Sequence, residues 1–253
     1  MVKHMLVPLR EVLKSNYRLD ATHYPPEVYK AYEKLEKLKE KDIDIVPLRK
    51  IVSSVFLRSR FARIWADEKY GVPYLSPSEA LKFKYDPPFR RRYLNRRQAE
   101  RLGLLVREGW LLLSCSGGEE SIGIPIFVNR ELSRYAFTHD IIRIVPCPDK
   151  PFASGYLYAY LSTDIGQSLV KKPIYGMQSR HIEPEHVSAI PVPLLPLDLM
   201  KKIHSAIERA WRLRELANTI ERETILTLEK LLKGEISVAE AREKLEDLDR
   251  STV

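Results

Sequence analysis

Asp86-Pro87-Pro88-Phe89 is the tetrapeptide in this chain whose residue types could do chemistry together. A carboxylate and a proline carbonyl can hold the exocyclic amino group of a base drawn out of its stack, while an aromatic ring stacks on that base. The chemistry would be group transfer to nitrogen. Such a site needs a buried strand in front of it and a glycine-rich turn to hold the group donor. Here Lys82, Phe83, Lys84 and Tyr85 precede it, arginines follow, and the ten glycines include no Gly-x-Gly. The surroundings favour a proline-stiffened loop.

Three further clusters fall short of a catalytic site. Ser116-Gly117-Gly118-Glu119-Glu120 follows an apolar run but lacks the Gly-Lys-Ser/Thr of a nucleotide-binding loop, which leaves a tight turn or a backbone anion nest. Pro148-Asp149 has no Asp/Glu-x-Lys after it to complete a metal site. Ser114 or Ser116 with His139 would make a nucleophile and base, yet nothing marks either serine as a strained elbow. The six histidines are scattered with no partner at metal spacing. Cys115 and Cys147 form no disulfide framework and read as small buried hydrophobes. No metal site and no cofactor site is expected.

Charge says more than any motif. The net charge is +8. Between Leu81 and Arg107 stand Lys82, Lys84, Arg90, Arg91, Arg92, Arg96, Arg97, Arg101 and Arg107 against only Asp86 and Glu100, a local excess of +7. A concentrated arginine cluster is the footprint of a polyanion partner. The planar guanidinium grips a phosphate or a guanine edge with two hydrogen bonds, which lysine does not. The competing reading is a solvated basic surface laced with ion pairs.

The elements that must position these groups divide into a head and a stalk. Residues 21–41 contain a charged helix with Pro25 and Pro26 at its start and Tyr29, Tyr32, Leu35 and Leu38 on its apolar face. Extended chain is expected over 42–65, a short strand at Gly71–Leu75, and a brief helix capped by Ser76-Pro77-Ser78-Glu79. Buried strands are expected at 109–113, 121–128 and 140–145, one helix over 153–171, and a last strand over 187–192. Strands and helices intermix without a βαβ repeat, so the head is α+β. No segment repeats, and no apolar run is long enough to cross a membrane. With no signal-peptide pattern at residues 1–11, a cytoplasmic location is expected.

After Ile190-Pro191-Val192-Pro193-Leu194-Leu195-Pro196, neither proline nor glycine occurs until Gly234. This predicts one helix of roughly 55 Å. Ile203, Ile207, Ala210, Leu213, Ala217, Ile220, Thr224, Leu228 and Leu231 recur at steps of three or four that average 3.5, the coiled-coil period. Interleaved charges flank this seam. Ser237-Val238-Ala239-Glu240 is a capping box for a final helix, so an αα-hairpin is expected. The expected division is a head over 1–195 and a helical spacer over 196–253. The rival is a long core helix packed on its own domain.

Taken in order, several segments resemble the DNA specificity (S) subunits of type I restriction–modification systems. They are Arg18-Leu19-Asp20-Ala21 with Tyr24-Pro25; Gly71-Val72-Pro73-Tyr74-Leu75; and Gly109-Trp110-Leu111-Leu112-Leu113-Ser114-Cys115-Ser116-Gly117 with Gly123. Asp140-Ile141-Ile142-Arg143-Ile144 follows, then Tyr156-Leu157-Tyr158-Ala159-Tyr160-Leu161 with Gly166. Tyr175-Gly176 through His181-Ile182 and Ile190-Pro191-Val192-Pro193 complete the series. The usual family member carries two recognition domains and two helical regions. This chain has one of each, so it looks like half a subunit.

The resemblance implies a subunit without chemistry of its own. It would bind double-stranded DNA and dock a modification methyltransferase that brings S-adenosylmethionine, and in the full complex a restriction subunit. It would pair with itself or with a second half-subunit and so direct adenine methylation to a bipartite site. The DNA-facing residues it implies are Arg90, Arg91, Arg92, Arg96 and Arg97 from the basic cluster, with Ser116, Gly117, Gln178, Ser179 and Arg180 from loops. Ile203, Ile207, Leu213, Ile220, Leu228 and Leu231 would serve dimerisation or partner binding. The rivals are a stand-alone DNA amino-methyltransferase or nuclease using Asp86 or Asp149, and a structural or decoy half-subunit that reads no particular DNA.

Overall fold

The computed structural model describes residues 9–14, 17, 19, 25–82, 92–117, 121–150, 153–172 and 180–250. Helix α1 (Leu9–Lys14) and helix α2 (Pro26–Lys39) come first, with Pro26 in the first turn of α2. The strands are β1 (Ile45–Pro47), β2 (Val52–Phe56), β3 (Trp65–Ala66), β4 (Gly71–Leu75), β5 (Arg92–Asn95), β6 (Leu111–Ser114), β7 (Ser116–Gly117), β8 (Pro125–Phe127), β9 (Ala136–Phe137), β10 (Ile141–Pro146), β11 (Arg180–His181) and β12 (Pro191–Pro193). Helices α3 (Pro77–Lys82), α4 (Arg96–Arg101), α5 (Ala153–Ser162), α6 (Asp164–Lys171) and α7 (Pro184–Ser188) lie between them, and α8 (Leu197–Leu232) and α9 (Val238–Arg250) follow. The fold is α+β with a long C-terminal helix.

The larger sheet has strand order β2-β10-β6-β8 and is antiparallel throughout. Ile141, Ile142, Ile144 and Leu111, Leu112, Leu113 are buried on both faces, which is why these strands read as continuous apolar runs. Helices α2, α5, α6, α7 and the first half of α8 close over this core. The smaller sheet has order β3-β5-β4-β9, with β4 and β9 parallel. It carries its own core of Val72, Tyr74, Leu94, Ala99, Leu104 and Ala136. Two short ribbons, β1–β12 and β7–β11, complete the head.

Several expectations change in the fold. The buried face of α2 is Val28, Ala31 and Leu35, one step round from the aromatic stripe, and Tyr32 is exposed. The single helix expected over 153–171 is two. Thr163 Oγ1 accepts the Gly166 N–H at 3.0 Å and starts α6 afresh, so the chain turns there. The strand expected over 187–192 starts instead as the end of helix α7, which is begun by Pro184 and by Glu183, whose N–H donates to His186 Nδ1 at 3.2 Å. Only Pro191–Pro193 is strand. The strand expected over 121–128 shrinks to Pro125–Phe127, and Cys147 is half-buried rather than buried.

The long helix begins after Pro196 and stops at Gly234, whose φ of +72° suits glycine. Its first half is part of the head. Met200 and Trp211 are buried there, with Ile203 and Ile207 packed on the same core, and Trp211 meets Phe127 and Tyr158 at ring distances of 6.2 and 5.7 Å. Helix α5 crosses α8 closely because residue 155 is glycine: a Cβ there would stand 2.8 Å from the His204 backbone. The Gly155 N–H donates to His204 Nδ1 at 3.1 Å. Beyond Asn218 the helix packs on α9, where Thr227 and Ala241 are buried. The Ser237–Glu240 capping box forms as expected, with the Ser237 N–H donating to Glu240 at 2.7 Å and the Glu240 N–H to Ser237 Oγ at 3.2 Å.

Candidate nucleic-acid interface

The smaller sheet and the loop that enters it gather arginine and aromatic side chains on one side of the head. The loop is Leu57-Arg58-Ser59-Arg60-Phe61-Ala62-Arg63-Ile64-Trp65. The Arg63 Nε–H donates to Tyr74 Oη at 2.8 Å, and its guanidinium lies 5.5 Å from that ring. Trp65 stands edge-on to Tyr74 at 5.5 Å and carries the Arg92 guanidinium over its face at 4.8 Å. Register places these groups together, since Trp65 pairs with Leu94 and Tyr74 with Arg92. A guanidinium on an aromatic face keeps its edge donors directed outward.

The loop is held by one buried side chain. Gln98, from α4, accepts the Ile64 N–H at 2.9 Å and donates to the Ala62 carbonyl at 2.8 Å. The Asn95 N–H donates to the Ile64 carbonyl at 2.8 Å. Arg58 is spent on architecture: its Nε donates to the Gly103 carbonyl at 3.0 Å and its guanidinium covers Phe56 at 4.6 Å.

The surface continues through His139 to the larger sheet. Phe61 meets the His139 ring at 5.6 Å, and His139 Nε2 lies 3.3 Å from the Asp140 carboxylate. Burial lowers the pKa of His139. Asp140 opposes that, and Arg63, Arg60 and Arg143 add to it. The imidazole is therefore neutral at pH 7. Arg143 lies beneath, fully buried, donating to the carbonyls of Ile141 at 2.9 Å and Phe137 at 3.1 Å. Burial and the nearby Arg58 push its pKa down to about 10, which still leaves it charged. The Cys115 N–H donates to the Asp140 carbonyl, which brings Ser116 and the β7–β11 ribbon alongside.

Of the residues expected to face DNA, Arg92, Arg96 and Arg97 stand on β5 and the start of α4, all exposed. Arg96 donates to the Gly71 carbonyl at 3.2 Å, and Arg92 lies 3.7 Å from Glu79. Ser116, Gly117 and Arg180 meet in one ribbon, Arg180 opposite Gly117 and His181 opposite Ser116. Arg90, Arg91, Gln178 and Ser179 lie outside the described residues, as does the 86–89 tetrapeptide. Arg60, Arg63 and the rings beside them were missed because charge was counted only between 81 and 107. The alternation of arginine with Phe61, Ile64 and Trp65 was the available signal.

The other rejected clusters stay apart. Ser114 donates to the Ser116 carbonyl at 2.9 Å and is buried, with no bond to His139. Burial raises the Cys115 thiol to about 12. Asp149 is exposed in the turn after β10. Among the described residues no group of three or more His, Cys, Asp or Glu could hold a metal ion, and no helix is long and apolar enough to cross a membrane.

On α8 the expected seam divides. Ile203 and Ile207 pack on the head, Ile220 and Leu231 are half-buried, and Leu213 and Leu228 are 56% and 54% exposed.

No family model matches the chain, and no curated protein matches it. Several solved structures are similar, three of them as follows. The S subunit of a type I restriction-modification system from M. genitalium is 10% identical, over 75% of this chain and 45% of its own, with a TM-score of 0.47. A structure described as the basis of complex assembly and conformational transition of the type I R-M system is 15% identical, over 95% and 56%, with a TM-score of 0.46. The HsdS subunit from Thermoanaerobacter tengcongensis is 15% identical, over 88% and 56%, with a TM-score of 0.41. The chain spans about half the length of these structures, and no residue here takes a role from them.

Proposed function

We propose that this chain is a DNA-reading half-subunit of a type I restriction–modification complex. The observation that carries the reading is the arginine and aromatic surface of Arg92, Trp65, Arg63 and Phe61, which reaches His139 and is anchored beneath by the buried Tyr74. Exposed guanidiniums would hold phosphates and fix register, while loops from both sheets reach base edges. Arg90, Arg91, Gln178, Ser179 and Arg180 remain candidates for DNA contact on the sequence alone.

The chain itself is non-catalytic in this reading and carries no cofactor. S-adenosylmethionine belongs to a partner adenine methyltransferase that docks on the α8–α9 hairpin, with a restriction subunit in the larger assembly. Two copies pair through the outer seam of α8, where Leu213 and Leu228 are more than half exposed. Two heads on a symmetric spacer would read a palindromic bipartite site.

Affinity capture of the tagged chain from its native extract, with identification of bound protein and DNA, tests this. Recovery of an adenine methyltransferase together with DNA is the expected result. Methyltransferase without selective DNA points to a decoy half-subunit. DNA without methyltransferase overturns the restriction–modification reading.

A further inference from the structure

We infer that Ile64 and Trp65 form an apolar wedge that enters the base stack of duplex DNA, so that the head reads part of its site through how readily one base step opens. The inference rests on the DNA-reading function proposed above and adds a mode of recognition to it.

Ile64 is 54% exposed and Trp65 44% exposed, on a loop where Arg60 and Arg63 are exposed as well. A pair of apolar side chains amid guanidiniums has no use for phosphate. The backbone that presents them is fixed: Gln98 and Asn95 take up both polar groups of Ile64. Gln98 also holds the Ala62 carbonyl, and β3 is paired to β5. Trp65 is braced on two sides, by the Tyr74 edge and by Arg92, which leaves part of the indole open. The wedge is therefore set before any ligand arrives, and binding need not order it.

Charge selects the occupant. Arg60 and Arg63 on the same loop and Arg92 over Trp65 draw in a polyanion, which directs the apolar edge between its phosphates toward the bases. Side chains of this kind pry base steps apart at a few kcal/mol per step. Pyrimidine–purine steps open most easily, so sequence is read at a position without a hydrogen bond to a base.

The test uses the full chain and two short duplexes of identical flanking sequence, one fully paired and one carrying a two-base mismatch. Binding is followed by fluorescence anisotropy at one fixed salt concentration. The mismatched duplex has met part of the opening cost, so it binds about tenfold more tightly. The Ile64→Ser/Trp65→Ser variant brings that ratio to near one. Ile64→Ser alone, which leaves the Tyr74 and Arg92 contacts of Trp65 in place, lowers the ratio if the double variant fails to fold. Equal binding of both duplexes by the unaltered chain, or a ratio unchanged in the variants, overturns the wedge. Failure to bind either duplex at low salt overturns the DNA-reading function itself.

Discussion

Arg222 donates from Nη1 to Glu131 Oε1 at 2.7 Å, and so ties the second half of the long helix to the turn before β9. The Glu131 side chain is 7% exposed and that of Arg222 27%. Removing one member of a largely buried pair leaves a charge in a poor medium. Arg222→Ala should cost about 2 kcal/mol of stability, and Arg222→Met with Glu131→Leu should recover most of it. Thermal and urea unfolding of the three proteins measures both effects.

Glu215 sits beside the same pair. Burial raises its carboxyl above the usual carboxylate range, Glu131 adds to the rise, and the Glu131 N–H works against it. A folded pKa above the unfolded one means that ionisation weakens the fold. Stability is then highest below the unfolded pKa and falls as pH rises through the folded pKa. Glu215→Gln should therefore raise the melting temperature by about 2 °C at neutral pH, and the difference should vanish in acid. Melting curves across that range give the answer, and a constant difference would assign the gain to packing.

Arg60, Arg63 and Arg92 should govern salt dependence. Each phosphate contact contributes close to one to the slope of log affinity against log salt. Arg60→Gln with Arg63→Gln should lower that slope by about two, whereas Arg58→Gln should alter stability more than the slope, since Arg58 is bound to Gly103. Salt titrations of DNA affinity separate the two outcomes.

Leu213 and Leu228 should matter only to association. Aspartate at both positions should leave the melting temperature within about 2 °C, since exposed sites cost little, and should abolish pairing. Sedimentation at micromolar concentration reports the change in mass.

The long helix was legible because its limits are set locally, by Pro196 before it and by Gly234 after it. The Ser237–Glu240 box was legible for the same reason. The break at Thr163 was not. Tyr156, Leu157, Tyr160, Leu161, Ile165 and Leu169 keep a helical rhythm across it, and only the side-chain bond from Thr163 to Gly166 chooses two helices. Val187 and Ile190 suggested strand, although Glu183 and Pro184 already marked a helix start. Arg92, Arg96 and Arg97 were named by charge density, and all three are exposed. The Arg63–Tyr74 and Arg92–Trp65 pairs depend on sheet register, which charge counting does not see.

The β1–β12 ribbon sets a schedule for synthesis. Ile45 pairs with Pro193, so β1 leaves the ribosome on the order of ten seconds before its partner exists. Throughout that interval it is a bare edge, open to pairing with a neighbouring nascent chain. Pro47 withholds one amide donor from that edge, and the charged residues of α2 flank it. When β12 does arrive, α8 follows at once, so the head closes as the helix that caps it is being made. A prolonged pause in translation between residues 150 and 190 would therefore favour aggregation over folding, whereas one after Arg222 has emerged to meet Glu131 would be harmless to the head.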